Sequence, residues 1–129
     1  MSSLHHVARR FAKAVEGAAA VEFAMVLPAF AVLIVGTIFV CQLMFETASM
    51  KYAVEAAARC AAVNTSTCSS ASTTQTYAAS KYYGPAHPAP TFTASSATCG
   101  QNVSASVTYV LKTGITSISI PLTASACFA

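Results

Sequence analysis

A lone carboxylate, Glu22, stands at the mouth of an apolar run. From Phe23 to Cys41 no residue is charged and only Thr37 is polar. An ionised carboxylate at the edge of a low-dielectric layer is costly without a partner, so it marks a functional position by default. The chemistry it offers is charge pairing rather than catalysis. The chain has no aspartate, and outside the apolar run no nucleophile stands with a plausible base. The other reactive side chains are five cysteines, Cys41, Cys60, Cys68, Cys99 and Cys127, and three histidines, His5, His6 and His87. No CxxC pair is present, and only His87 stands in the cysteine-bearing part, so neither a metal site nor a cofactor is expected. His5 and His6 read as solvated, as does His87 in its loop. Tyr52, Tyr82 and Tyr83 read as packing or surface contacts.

The element that must position Glu22 is a helix. About 20 apolar residues cross the hydrocarbon layer at about 1.5 Å each, so residues 18–44 read as a membrane span. Pro28 and Gly36 lie inside it and are tolerated there better than in a soluble helix; Pro28 is expected to kink it near Ala24. Residues 45–62 continue the helical signal without Gly or Pro. Glu55 and Arg59 stand at i and i+4 in the favourable order. Phe45, Ala48, Tyr52, Ala56 and Cys60 share one face. A single helix over 18–62 would be about 67 Å long, more than twice a bilayer core. Such a length suits a spine that packs against copies of itself or a partner.

Charge and cysteine usage bear on orientation. The 129 residues carry a net charge of only +3, with 9% charged and 55% hydrophobic residues, a balance unusual for a soluble domain. Arg9, Arg10 and Lys13 precede the span and form no stripe, so they read as a topology signal rather than a nucleic-acid footprint. After the span, Lys51 and Arg59 are diluted by Glu46 and Glu55. The positive-inside rule then favours a cytoplasmic N-terminus, with the C-terminal part outside. Four cysteines fall on that outer side. The outer region is rich in Ala, Ser and Thr, its core must be small, and small cores need staples. Four cysteines allow 3 connectivities, among which sequence does not choose. The pairing we expect is Cys60–Cys68, closing a short loop at the helix end, and Cys99–Cys127, stapling the last residues to a sheet.

Residues 63–90 read as a Ser/Thr/Pro-rich connector with a weak helix around Thr74 to Lys81, punctuated by Pro85, Pro88 and Pro90. Residues 91–129 read as a small stapled β region. From Asn102 the period becomes two: Val103, Ala105, Val107, Tyr109 and Leu111 alternate with Ser104, Ser106, Thr108 and Val110. Lys112-Thr113-Gly114 supplies a turn. Ile118, Ile120 and Leu122 alternate again, with Pro121 arguing for an edge strand. A hairpin of this size cannot stand alone, so it is expected to pack on the outer half of the helix, with a third strand from Pro90 to Ala94. The fold class is thus α+β: a membrane-spanning helix over about 18–62 with a small antiparallel β region on its outer half.

The block Glu16-Gly17-Ala18-Ala19-Ala20-Val21-Glu22-Phe23-Ala24-Met25-Val26-Leu27-Pro28, behind a basic leader, resembles a prepilin processing site. It is most similar to the TadE-like minor pilins or pseudopilins of tight-adherence (Flp-type) pilus systems. The resemblance covers roughly residues 8–62; the C-terminal half matches only in style. It implies that residues 1–17 are a cytoplasmic leader, that a membrane-embedded aspartyl prepilin peptidase cuts after Gly17, and that Ala18 becomes the new N-terminus. Pilins of type II secretion and type IV systems usually carry phenylalanine after the cut, whereas this chain has Ala18, which leans toward the tight-adherence branch. The implied role is a non-enzymatic structural subunit in adhesion. Its implied partners are the peptidase, other pilin subunits and the inner-membrane assembly machinery, and its implied location is the bacterial inner membrane.

The chemistry of the block agrees with that implication. Cleavage would create an α-amino group at Ala18 with an ordinary pKa of about 7.7–8.0. Glu22 and Phe23 follow at the next turn, Glu22 at i+4 on the same face. An amine–carboxylate pair, within one chain or between neighbours, would offset the cost of keeping Glu22 in a low-dielectric site. The alternative reading is an uncleaved single-pass accessory protein whose Glu22 snorkels to the interface. A secretory signal peptide fits less well: the apolar run exceeds about 7–15 residues, and no A-x-A site follows it.

Overall fold

The computed structural model describes residues 2–112 and 116–129, with side chains from Gly17 onward apart from Lys112. The order of elements is α1 (Ser2–Val63), α2 (Ala71–Lys81), β1 (Thr91–Ala97), β2 (Gly100–Lys112) and β3 (Ser117–Phe128). The turn expected at Thr113-Gly114 lies outside the described residues. The chain divides into two compact units, Met1–Cys41 and Gln42–Ala129.

The first unit is helical throughout its described part. α1 begins at Ser2, well ahead of residue 18, and runs through Gly17 and Pro28. Residues 2–16 are mostly helix formers, and one glycine costs a helix only about 1 kcal/mol relative to alanine, too little to stop it. From Gly17 the helix is long and apolar enough to cross a membrane, with a mean hydropathy of 2.6 over its most apolar 18 residues, none of them buried.

The second unit joins the last turns of α1 to α2 and a three-stranded antiparallel sheet of order β1-β2-β3. β3 is an edge strand, as Pro121 requires. β1 pairs with β2 from Thr91↔Ser106 to Ala97↔Gly100, and β2 pairs with β3 from Gln101↔Phe128 to Lys112↔Ser117. β1 starts at Thr91 because Pro90 and Pro88 before it have no N–H to give a ladder. Residues 107–112 of β2 therefore extend beyond β1 with β3 as their only strand partner. Gly100 has φ +118, and a Cβ there would collide with the Phe128 carbonyl, so the β1–β2 turn needs glycine.

The core is one cluster: Met50, Val54, Ala57 and Ala58 of α1, Ala78 of α2, Val103, Ala105 and Val107 of β2, and Ala124 of β3. Each fully buried Met or Val contributes about 1.5–3 kcal/mol, so five alanines among nine members make a thin core. Of the face Phe45, Ala48, Tyr52, Ala56 and Cys60, the first three are exposed, Ala56 is half-buried and only Cys60 is buried, so the main buried row of α1 lies beside it. Small residues let the helix backbone approach the sheet closely, so the fold buries the alanine-rich row and leaves Phe45 and Tyr52 outside.

The connector 63–90 contains α2, which starts three residues earlier than its composition suggests. Ser70 supplies the reason: its hydroxyl accepts the Thr73 N–H (3.3 Å) while its own N–H donates to the Thr73 hydroxyl (3.0 Å). This is a capping box with threonine in the usual Glu/Gln place. Two disulfides close the unit, Cys60–Cys68 over 8 residues and Cys99–Cys127 over 28. In the chain-entropy account the shorter loop stabilises by about 2.6 kcal/mol and the longer by about 3.6 kcal/mol. We expect Cys99→Ser/Cys127→Ser to cost about 1 kcal/mol more than Cys60→Ser/Cys68→Ser in urea unfolding of the full chain in detergent. An equal or reversed order would show that native-state effects outweigh loop closure.

Candidate functional site

Gly17, Ala18, Glu22 and Phe23 all lie in α1 and are exposed. At 3.6 residues per turn, Ala18 and Glu22 sit one turn apart on one face. None of the described side chains pairs with Glu22. The side chains of Arg9, Arg10 and Lys13 lie outside the described set. A Cβ on Gly17 would meet nothing within 4 Å, and its φ is not positive. Neither packing nor backbone conformation asks for glycine there, yet it weakens the helix by about 1 kcal/mol relative to alanine.

The second unit holds a polar constellation of its own. Glu46 is 1% exposed and, with Ser49 and Thr74, is one of three buried polar residues among those described. The Tyr82 hydroxyl donates to Glu46 Oε1 at 2.8 Å, and the Tyr83 N–H donates to Ser49 Oγ at 2.8 Å. The Tyr82 ring also packs edge-on against Phe92, and the Tyr83 ring lies 6.2 Å from that of Tyr52. The chain leaving α2 is thereby fastened to α1 just past the apolar run. Burial pushes the Glu46 carboxyl above the ordinary carboxylate range, and the Tyr82 hydrogen bond pulls it part of the way back. Burial, together with the neighbouring carboxylate, pushes the Tyr82 phenol well above its usual value.

Glu46 was not legible as a buried residue. In the sequence it reads as a charge that dilutes the outer-side lysine and arginine. The signal that marks it is its place at the head of the row Glu46, Met50, Val54 and Ala57, spaced as one helix face. The remaining reactive groups are dispersed. Cys41 is free and exposed. His87 is exposed, and among the described residues no three of His, Cys, Asp or Glu come together. A cleft of about 410 Å³ beside α2 is lined by Thr67, Ser72, Thr73, Thr76, Tyr77 and Ser80, hydroxyl groups with no acid or thiol among them.

The described residues thus combine a helix long and apolar enough to cross a membrane with a small α+β unit closed by two disulfides. Residues 17–59, a third of the chain, match the family model described as TadE-like protein. That segment is TadE-like, and it begins at Gly17 itself. No curated protein and no solved structure matches the chain. The family match points to a protein associated with tight-adherence pilus systems, a structural and assembly family not known for enzymatic activity.

The buried carboxyl gives this unit a pH signature. A carboxyl whose folded-state pKa is raised contributes its full stability below its unfolded value and loses it as pH climbs through the folded value. Stability of the full chain in detergent should therefore fall as pH rises above the ordinary carboxylate range. Glu46→Gln, which keeps an acceptor for Tyr82, should flatten that slope in thermal unfolding across pH 4–8, and an unchanged slope would assign it to other groups. Tyr82→Phe should cost about 1–3 kcal/mol by leaving Glu46 without its partner.

Proposed function

We propose that this protein is a minor pilin or pseudopilin of a tight-adherence pilus, processed by a prepilin peptidase after Gly17. The observation that carries the reading is Gly17 itself. It is a helix-weakening residue with open space around it, at the first position of the TadE-like match and five residues before the only carboxylate of the apolar segment. A peptidase that reads the backbone at the cut supplies the demand for glycine that the fold lacks. Local unwinding would be needed to present a peptide bond held in α1, and glycine lowers the cost of that unwinding.

Cleavage leaves an ammonium group at Ala18, one turn from Glu22. Pairing between chains would set the axial register of neighbouring subunits in the low-dielectric layer. Residues 18–44 span the inner membrane, residues 1–17 remain cytoplasmic, and the second unit faces outward, where its two disulfides persist. The partners are the peptidase, other pilin subunits and the assembly machinery. The continuity of α1 from Ser2 through Gly17 favours a second reading, an uncleaved single-pass accessory protein.

N-terminal sequencing of the membrane form, with and without the peptidase, separates the two readings: processing gives Ala18, and its absence leaves Met1. Gly17→Ala should abolish processing while leaving the second unit intact. Glu22→Ala should be processed and fail to assemble. Normal assembly of the Glu22→Ala variant would remove the amine–carboxylate pair from the mechanism.

A further inference from the structure

One side of α1 in the second unit has no cover among the described residues. Met44 is 69% exposed, Phe45 59% and Tyr52 53%, with exposed Ala48 between them. The exposed Tyr83 ring lies 6.2 Å from that of Tyr52 and widens the patch. These helix positions recur every three or four residues, so they form one stripe across the helix from Met50, Val54 and Ala57. A contiguous exposed apolar stripe marks an interaction surface.

The same stripe carries three charges at a spacing of four: Lys51, Glu55 and Arg59, all exposed. Within one helix this spacing lets Glu55 reach either cation. It pairs with neither. Arg59 sits instead 5.5 Å over the ring of Phe128, and Glu55 has no ion-pair partner among the described residues. The stripe therefore offers a cation, an anion and a cation in a row, each about one turn from the next.

That row is complementary to itself at one offset. Chains inserted in one membrane share an orientation, so neighbouring copies of α1 run parallel. In register, Lys51, Glu55 and Arg59 each face their own kind. Shifted by eight residues, Lys51 faces Arg59. Shifted by four, Lys51 of one copy faces Glu55 of the other, Glu55 faces Arg59, and no like charges meet. The same shift sets Met44 against Ala48 and Ala48 against Tyr52, so a small residue stands opposite each large one and the helices can approach closely.

We propose that this stripe is a docking surface for a second copy of the chain, parallel and offset by four residues, about 6 Å along the helix. The apolar residues supply the contact. The charges choose the offset, since charged pairs across an interface set register and orientation more than affinity. The inference rests on the reading of the chain as an assembling subunit whose α1 spans a membrane, and it does not depend on cleavage after Gly17.

Cys41→Ser removes the free cysteine of the described residues. In that background the full chain is co-expressed in two tag lengths, one carrying Ala48→Cys and the other Tyr52→Cys, and the membranes are oxidised with copper phenanthroline. Every variant is checked by mass for its two native disulfides. A disulfide needs Cα atoms within about 7 Å, so we expect the mixed cross-link between positions 48 and 52 to form at least about fivefold faster than either cross-link between like positions. Met44→Cys with Ala48→Cys should behave the same way. Glu55→Lys in the Tyr52→Cys chain, or Lys51→Glu in the Ala48→Cys chain, should slow the mixed cross-link roughly fivefold, as one exposed attraction becomes a repulsion. The two together should restore it, which a merely structural role for either residue would not do. Cross-links fastest between like positions, absent, or formed only with a different protein overturn the proposal, and so does a failed rescue. An N-terminus at Ala18 without these cross-links defeats only this docking, whereas cross-linking of a chain that still begins at Met1 defeats only the cleavage.

Discussion

The close approach between one face of α1 and the inner face of the sheet is the constraint on which the outer unit depends. Ala53, Ala57 and Ala58 on the helix, and Ala105 and Ala124 on the strands, leave room for little but backbone and a few larger side chains. Close-packed small residues give many contacts but little buried apolar area per residue. The unit compensates in two ways. Its disulfides restrict the unfolded chain at the end of α1 and beside the β1–β2 turn. Its one buried carboxylate, Glu46, is satisfied by Tyr82 rather than by a cation, so α2 and its following segment are tied to α1 by directional bonds.

The same helix serves two environments in succession. From Gly17 to Cys41 its side chains are exposed apart from half-buried Phe39, which suits lipid or neighbouring helices. From Gln42 onward one face is claimed by the sheet. The change of environment coincides with the change of sequence, from a run without charge to a helix carrying Glu46, Lys51, Glu55 and Arg59. Only Glu46 of these four turns inward. The TadE-like match, residues 17–59, runs across this change of environment.

Much of this was readable residue by residue. The apolar run announced the long helix. The switch to period two at Asn102 announced the strands, and Pro121 placed β3 at an edge. The face of α1 that packs was harder to read. Phe45 and Tyr52 are bulky and sit on one helical row, yet they are exposed, because close helix–sheet packing favours alanine over size. The start of α2 was hidden because Thr73 replaces the usual acidic or amide member of a capping box. Glu46 was hidden because its partner lies 36 residues away, beyond any local pattern.

The sequence by itself determined what depends on composition and period: a helix long and apolar enough for a membrane, a glycine and a carboxylate at a spacing that matches a TadE-like segment, and strands of alternating polarity. Those properties are local, and each is written in adjacent residues. The tertiary structure alone decided which helix face is buried and where the Glu46 carboxylate finds its hydroxyl. These depend on contacts between residues distant in the chain, whose free energies are settled only when helix and sheet close on each other.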